Sequence, residues 1–273
     1  MFSPVRRRIT LESNYIVEMK GISKRFGSVQ ALNQVDLELR EGEILGLVGD
    51  NAAGKSTLMK ILSGAHVADS GRILINGEEV TIRDPRDARS CGIEMIYQDL
   101  ALCNNLDVAR NIFLGREYTR GLPFLSILDK KKMYAESAEL LKRLNINISS
   151  PRLKVERMSG GQRQMVAAAK AIAFDAKILL MDEPTAALGV REANTLLRLI
   201  KDLRDGGHSV VLITQRVPDI LAIGDRVMVL KGGRRQGILN VSEVGLDDVV
   251  ELIVRGRAGA ESEEDALEYL SFG

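Results

Sequence analysis

Gly49-Asp-Asn-Ala-Ala-Gly-Lys-Ser-Thr57 is the stretch on which the reading of this chain turns. It follows a short apolar run, Glu43-Ile-Leu-Gly-Leu-Val48, and opens onto Leu58-Met-Lys-Ile-Leu62. Strand, glycine-bearing loop and helix thus succeed one another as a phosphate-binding loop requires. Gly49, Gly54, Lys55 and Ser56 meet the G-x-x-x-x-G-K-[ST] spacing. In such a loop the backbone N–H groups, running through Asp50, Asn51, Ala52, Ala53 and Gly54 to Thr57, wrap a polyphosphate, and the N-terminus of the following helix favours its charge. Lys55 reaches the β/γ oxygens and Ser56 offers its hydroxyl to Mg²⁺. A nucleoside triphosphate is the implied ligand; the competing reading is a glycine-rich turn before a helix that is only a turn.

The chain has 273 residues, enough for one large domain or two modest ones. With 38 Lys+Arg against 37 Asp+Glu its net charge is +1, so no basic field calls for nucleic acid. Cys91 and Cys103 have no metal-ligand spacing with each other or with His66 and His208, which predicts free thiols in a reducing compartment. The basic start lacks the apolar stretch of a standard secretory signal. No apolar run approaches the roughly 18 residues that cross a bilayer. A cytoplasmic location is expected, with any membrane contact made through a partner.

Residues 1–13 read as a flexible basic lead-in. Tyr15–Lys20 and Val35–Leu39 alternate apolar and polar residues as a half-exposed antiparallel hairpin does. Phe26, in Lys24-Arg-Phe-Gly27, is either a core aromatic or an exposed ring on which a base stacks; its residue type favours the core. Ser70–Glu78 reads as a strand with an Asn-Gly turn. Ile93–Gln98 is β-like, and Gln98 at its end is either solvated filler or a metal and water contact at the carboxyl edge of an α/β sheet. From about 99 to 164 the periodicity turns helical, with Met133, Leu140, Leu141 and Leu144 forming one stripe.

That segment closes at Met158-Ser-Gly-Gly-Gln162, where Ser159 caps a helix running to Phe174. Gly160 and Gly161, exposed at its start, make an anion-binding nose or a plain capped turn. In Lys177-Ile-Leu-Leu-Met-Asp-Glu-Pro-Thr185, four apolar residues suit a central parallel strand buried on both faces. Asp182 and Glu183 arrive at its carboxyl end, one to hold Mg²⁺ and the other to accept a proton from the attacking water. A helix over 191–204 and strands at 209–214 and 226–230 add crossovers, so the sheet is mostly parallel and covered on both faces. Residues 256–273 form an acidic tail.

The ordered motifs GDNAAGKST, MSGGQ and KILLMDEPTAAL resemble the ATP-binding subunits of ATP-binding cassette (ABC) transporters over about residues 14–255. The resemblance implies an α/β phosphate-loop NTPase with a mixed, mostly parallel sheet, an N-terminal antiparallel β part and a helical subdomain inserted at about 99–164. It makes Phe26 the ring stacked on adenine, Gln98 the glutamine that senses Mg²⁺, and Ser159, Gly160, Gly161 and Gln162 the signature that caps ATP on a second cassette. Passages such as EMIYQDLALCNNLDVARNIFLGRE look most like bacterial monosaccharide importers. The implied partners are a second cassette, with a homodimer expected, transmembrane permease subunits and, indirectly, a periplasmic sugar-binding protein. The implied location is the cytoplasmic face of the inner membrane.

Three positions depart from that family's pattern. Ala52 stands where Gly is usual, at a cost of ~1–2 kcal/mol if the residue is left-handed and near zero otherwise. Gly189 replaces an Asp expected to reach across the dimer, and Gln215 replaces the switch histidine. A carboxamide donates a hydrogen bond but carries no imidazolium charge. ATP binding is therefore expected with slow hydrolysis at this chain's own site. The alternatives are a cassette that binds without hydrolysing beside a different active one, and a soluble ATPase of repair or translation, which the missing heptads and basic stripe disfavour.

Overall fold

The computed structural model describes residues 15–97, 100–121, 126–174 and 176–256. The predicted lead-in at 1–13, Gln98, and all but the first residue of the predicted tail at 256–273 lie outside them. In chain order the first elements are β1 (Tyr15–Phe26), β2 (Val29–Arg40), β3 (Ile44–Gly49), α1 (Lys55–Leu62), β4 (Ser70–Ile75), β5 (Glu78–Val80), α2 (Pro85–Ser90) and β6 (Ile93–Ile96). Then come α3 (Val108–Ile112), β7 (Thr119–Arg120), β8 (Ile127–Leu128), α4 (Lys130–Arg143) and α5 (Gly160–Ile172). The rest are β9 (Ile178–Asp182), α6 (Val190–Asp205), β10 (Ser209–Ile213), α7 (Val217–Ile223), β11 (Arg226–Lys231), β12 (Arg234–Asn240) and α8 (Leu246–Arg255).

A six-stranded sheet in the order β12-β11-β3-β10-β9-β6 carries the site. All its neighbours are parallel except β11 and β12, as the alternation of apolar strands with helices predicts. β3, β9 and β10 have apolar residues in succession because both faces are covered. Leu45 and Leu47 face one core with Leu58 and Met59 of α1, whereas Ile44 and Val48 face the other with Val166 and Leu196 of α5 and α6. Each such fully buried Leu contributes ~1.5–3 kcal/mol. Gly46 lets α7 approach, since a Cβ there would lie 2.5 Å from Ile220 Cγ2.

A second sheet, antiparallel, runs β2-β1-β4-β5. Its Asn76-Gly77 turn has φ of 52° and 79°, the left-handed pair that a two-residue hairpin needs. The half-exposed hairpin expectation holds only in part, because Ile16, Val17, Glu18 and Met19 are buried in succession. The strand lies between β2 and β4, and β2 in turn packs toward the other sheet. Arg226 on β11 fastens the two sheets: it pairs with buried Glu43 and donates to the Glu38 carbonyl on β2 at 2.8 Å.

Among the described residues between β6 and α5 the regular elements are α3, α4, a 3-10 turn at Val155–Arg157 and the short β7–β8 pair, so the helical periodicity read over 129–145 is realised in α4. Met133, Leu140 and Leu141 of α4 are buried and Leu144 is partly buried against the same core.

Candidate active site

The carboxyl ends of β3, β10 and β9 lie side by side and deliver the loop after Gly49, Gln215 and Asp182 to one cleft. The loop from Gly49 to Lys55 has a backbone only particular residues tolerate. Gly49 has φ of 146°, and a Cβ there would lie 2.0 Å from the Leu230 carbonyl oxygen. Ala52 has φ of 65°. It therefore incurs the left-handed penalty of ~1–2 kcal/mol that a Gly would escape.

Lys55 is buried at the start of α1 and its Nζ donates to the carbonyls of Gly49 at 2.7 Å and Asp50 at 2.8 Å. Burial lowers its pKa, and the carboxylates of Glu183, Asp50 and Asp182 work against that fall.

The cleft has a volume of about 340 Å³ and is lined by Lys55, Ser56, Asp182, Glu183, Gln215 and Asn51 among others. Glu183 itself has a left-handed backbone, φ 50°, and its N–H donates to the Ile213 carbonyl at 3.0 Å. The Gln215 N–H donates to Glu183 Oε2 at 3.3 Å, and the Gln215 amide Nε2 donates to Asn51 Oδ1 at 3.1 Å. Burial raises the Glu183 pKa, with the Asp182 and Asp219 charges adding to it; the Gln215 N–H bond and Lys55 oppose the rise. A half-buried carboxyl that titrates above the ordinary carboxylate range is a better proton acceptor at neutral pH than a solvated one.

The donor set suits Mg²⁺. Ser56 and Asp182 offer hard oxygens, and the described residues hold no cluster of His, Cys, Asp and Glu that would bind a metal by itself. Mg²⁺ takes one or two protein oxygens and fills its octahedron with phosphate and water. Gln98, the third predicted ligand, lies outside the described residues.

Phe26 corrects the preference drawn from its residue type: it is 44% exposed at the tip of the β1–β2 hairpin. The pattern of buried residues in β1 stops at Ile22, so the hairpin end projects beyond the core. Its ring lies 5.3 Å from that of His66 at an interplanar angle of 66°, and Lys24 Nζ stands 5.5 Å from its centroid, anchored by Asp69 at 2.7 Å.

Ser159 caps α5 as expected, in a capping box: its Oγ accepts from the Gln162 N–H at 3.2 Å while Gln162 Oε1 accepts from the Ser159 N–H at 3.1 Å. Of the two glycines there, Gly160 alone is exposed. The expectation of two exposed glycines fails at Gly161, which is buried where a Cβ would meet the Glu192 side chain at 3.1 Å. Ser159, Gly161 and Gln162 do not line the Lys55 cleft; they line another, of about 370 Å³, against α6. That cleft is the larger, yet it contains neither a lysine nor a pair of adjacent carboxylates. Gly189 is the exposed N-cap of α6 with no side-chain cap and open space around its Cβ position.

Two links went unread in the sequence. Thr185 Oγ1 donates to buried Asp219 at 2.7 Å, and Arg216 pairs with the same carboxylate at 3.3 Å, fastening the loop after β9 to the loop after β10. The other is the Asn51–Gln215 bond, whose partners are 164 residues apart with no local pattern to announce them.

A phosphate loop at the carboxyl edge of a mostly parallel sheet, facing two adjacent carboxylates on the next strand but one, defines a nucleotide-binding phosphate-loop NTPase. A sequence profile for the ABC transporter family matches residues 32–186, more than half of the chain, and the chain belongs to that family. It is an ATP-binding ATPase of that class.

The xylose/arabinose import ATP-binding protein of Sulfolobus acidocaldarius is 45% identical over 87% of this chain and 93% of its own length. The ribose import ATP-binding protein of Caldanaerobacter subterraneus is 48% identical over 88% of this chain but 47% of its own, so the chain spans about half of that relative. A solved dimeric ATP-binding cassette in a post-hydrolysis state with ADP and Pi superimposes with a TM-score of 0.69 at 26% identity, covering 82% of this chain and 98% of that one. No helix among the described residues is long and apolar enough to cross a membrane.

Proposed function

We propose that the chain powers uptake of a monosaccharide through a transmembrane permease, as a peripheral subunit on the cytoplasmic face of the membrane. The observation that carries this reading is the convergence of Lys55, Asp182, Glu183 and Gln215 in one cleft; the sugar-import relatives supply the substrate class. Phe26 stacks on the adenine, and the backbone from Gly49 to Thr57 with Lys55 holds the phosphates. Ser56 and Asp182 hold Mg²⁺, which when bound neutralises charge developing on the phosphate oxygens. Glu183 accepts the proton of the attacking water, and Gln215 keeps that carboxylate and the water in place.

Two copies close on two nucleotides, with Ser159–Gln162 of each completing the other's site. The dimeric relative supports this arrangement. So does the placement of the α5 start outside the Lys55 cleft of its own chain. A periplasmic sugar-binding protein delivers the substrate to the permease. The helical segment at about 99–164 forms a subdomain within an ATPase domain spanning 14–255.

Co-purification with permease subunits, followed by ATP turnover with and without candidate pentoses and hexoses, tests the reading. Sugar-dependent turnover that Glu183→Gln abolishes is the expected result. Recovery of a second, different cassette in the complex assigns hydrolysis to that partner instead. Gln215→His is expected to raise the single-turnover rate, and an unchanged rate means that the chemistry is not limited at this position.

A further inference from the structure

We propose that Asn51 is a positioning residue of this ATPase, whose carboxamide fixes the Gln215 side chain and thereby locks the loop after β10 to the phosphate loop. The proposal rests on the reading of Glu183 as the proton acceptor. The segment from Ile213 to Asp219 is tied to the loop after β9 three times over. Glu183 N–H donates to the Ile213 carbonyl, Gln215 N–H donates to Glu183 Oε2, and Thr185 donates to Asp219. Across to the phosphate loop, the hydrogen bond among the described residues is the 3.1 Å one between Gln215 Nε2 and Asn51 Oδ1.

The need for this bond follows from the residue type at 215. A glutamine has three side-chain torsions, and ordering it costs rotamer entropy that a bonding partner must offset. Gln215 is exposed, so packing does not immobilise it. Asn51 can: each carboxamide carries an acceptor and two donors, so the pair forms in either orientation and leaves polar atoms on Gln215 to face the cleft. Asn51 also sits on a backbone that is itself fixed. The Ala53 N–H donates to the Asp50 carbonyl at 3.1 Å across it, and the chain reverses through left-handed Ala52 immediately after it. The backbone that carries the anchoring carboxamide is therefore fixed, as a positioning contact requires.

A double-mutant cycle on the full-length chain assembled with its permease tests this, with Asn51→Ala, Gln215→Ala and the double variant compared for kcat and KM. Each single substitution is expected to lower kcat by roughly 2- to 10-fold with KM changed less than about twofold, and the double to be no slower than the slower single. Asn51→Asp keeps an acceptor for Gln215, so it retains most of kcat. Multiplicative losses in the cycle, or an Asn51→Asp variant as slow as Asn51→Ala, overturn the proposal. Glu183→Gln separates the two levels: if it leaves turnover intact the reading of the site fails, and if it abolishes turnover while the cycle is multiplicative only the role of Asn51 fails.

Discussion

The loop at Gly49–Thr57 and the start of α5 at Ser159 are both glycine-bearing turns that open a helix, yet their surroundings differ. Around the first, a lysine is buried beside three carboxylates and the backbone is held left-handed at Ala52 and Glu183. Around the second, a capping box satisfies the helix end and Gly160 faces solvent. Strain and buried charge concentrate where the chain must grip a ligand by itself. A helix end without either has N–H groups to offer but nothing that orients an attacking water. The first region thus has what a chain needs to grip a ligand by itself, and the second does not.

Substitutions can break that comparison, beginning with the largest effect. Glu183→Gln is expected to lower turnover of the assembled transporter by roughly 10²- to 10⁴-fold while the nucleotide Kd of the chain changes little. Its pH behaviour sharpens the point. Only ionised Glu183 accepts a proton, and its pKa is raised, so the acid limb of kcat lies above the ordinary carboxylate range and disappears in the Gln variant. The linkage has the same sign: the folded chain binds this proton more tightly than the unfolded one. The charge therefore destabilises at neutral pH, and Glu183→Gln raises the Tm there by a margin that vanishes as pH falls through the raised pKa to the unfolded value.

Lys55→Ala comes next, with a loss of about 2–3 kcal/mol, or roughly 30- to 150-fold, in ATP affinity of the isolated chain by calorimetry. Ser159→Ala in the same assay leaves affinity within about twofold and instead lowers stability by ~1 kcal/mol through the lost cap. A Ser159→Ala variant that binds ATP as poorly as Lys55→Ala would show that one chain's signature touches its own nucleotide. Smallest is Ala52→Gly, expected to stabilise the chain by ~0.5–1 kcal/mol in chemical denaturation by relieving the left-handed strain.

What the sequence made legible follows the same division. Glu43–Val48 and Lys177–Asp182 announced themselves because burial on both faces forces apolar runs, and the phosphate loop because its glycines answer to contacts such as Leu230 above Gly49. The stripe on α4 was readable because 3.6-residue periodicity follows directly from packing one face. Phe26 was misjudged from its type, since hydrophobicity does not say where a hairpin outgrows its core. Gly161 was misjudged because the Glu192 side chain that covers it belongs to a later helix. The Asn51–Gln215 bond and the β7–β8 pair had no local signature, one spanning 164 residues and the other too short to show an alternation.

The clamp of Arg226 on Glu43 and Glu38 bears on selection among nucleotides. It joins the sheet that carries Phe26 to the sheet that carries the phosphate loop. With the proposed stacking at one end and Lys55 at the other, the two sheets act as a fixed gauge for the span between base and phosphate. A chain loosened at Glu43 would still hold a triphosphate but measure that span less sharply, and so discriminate less between ATP and bare tripolyphosphate.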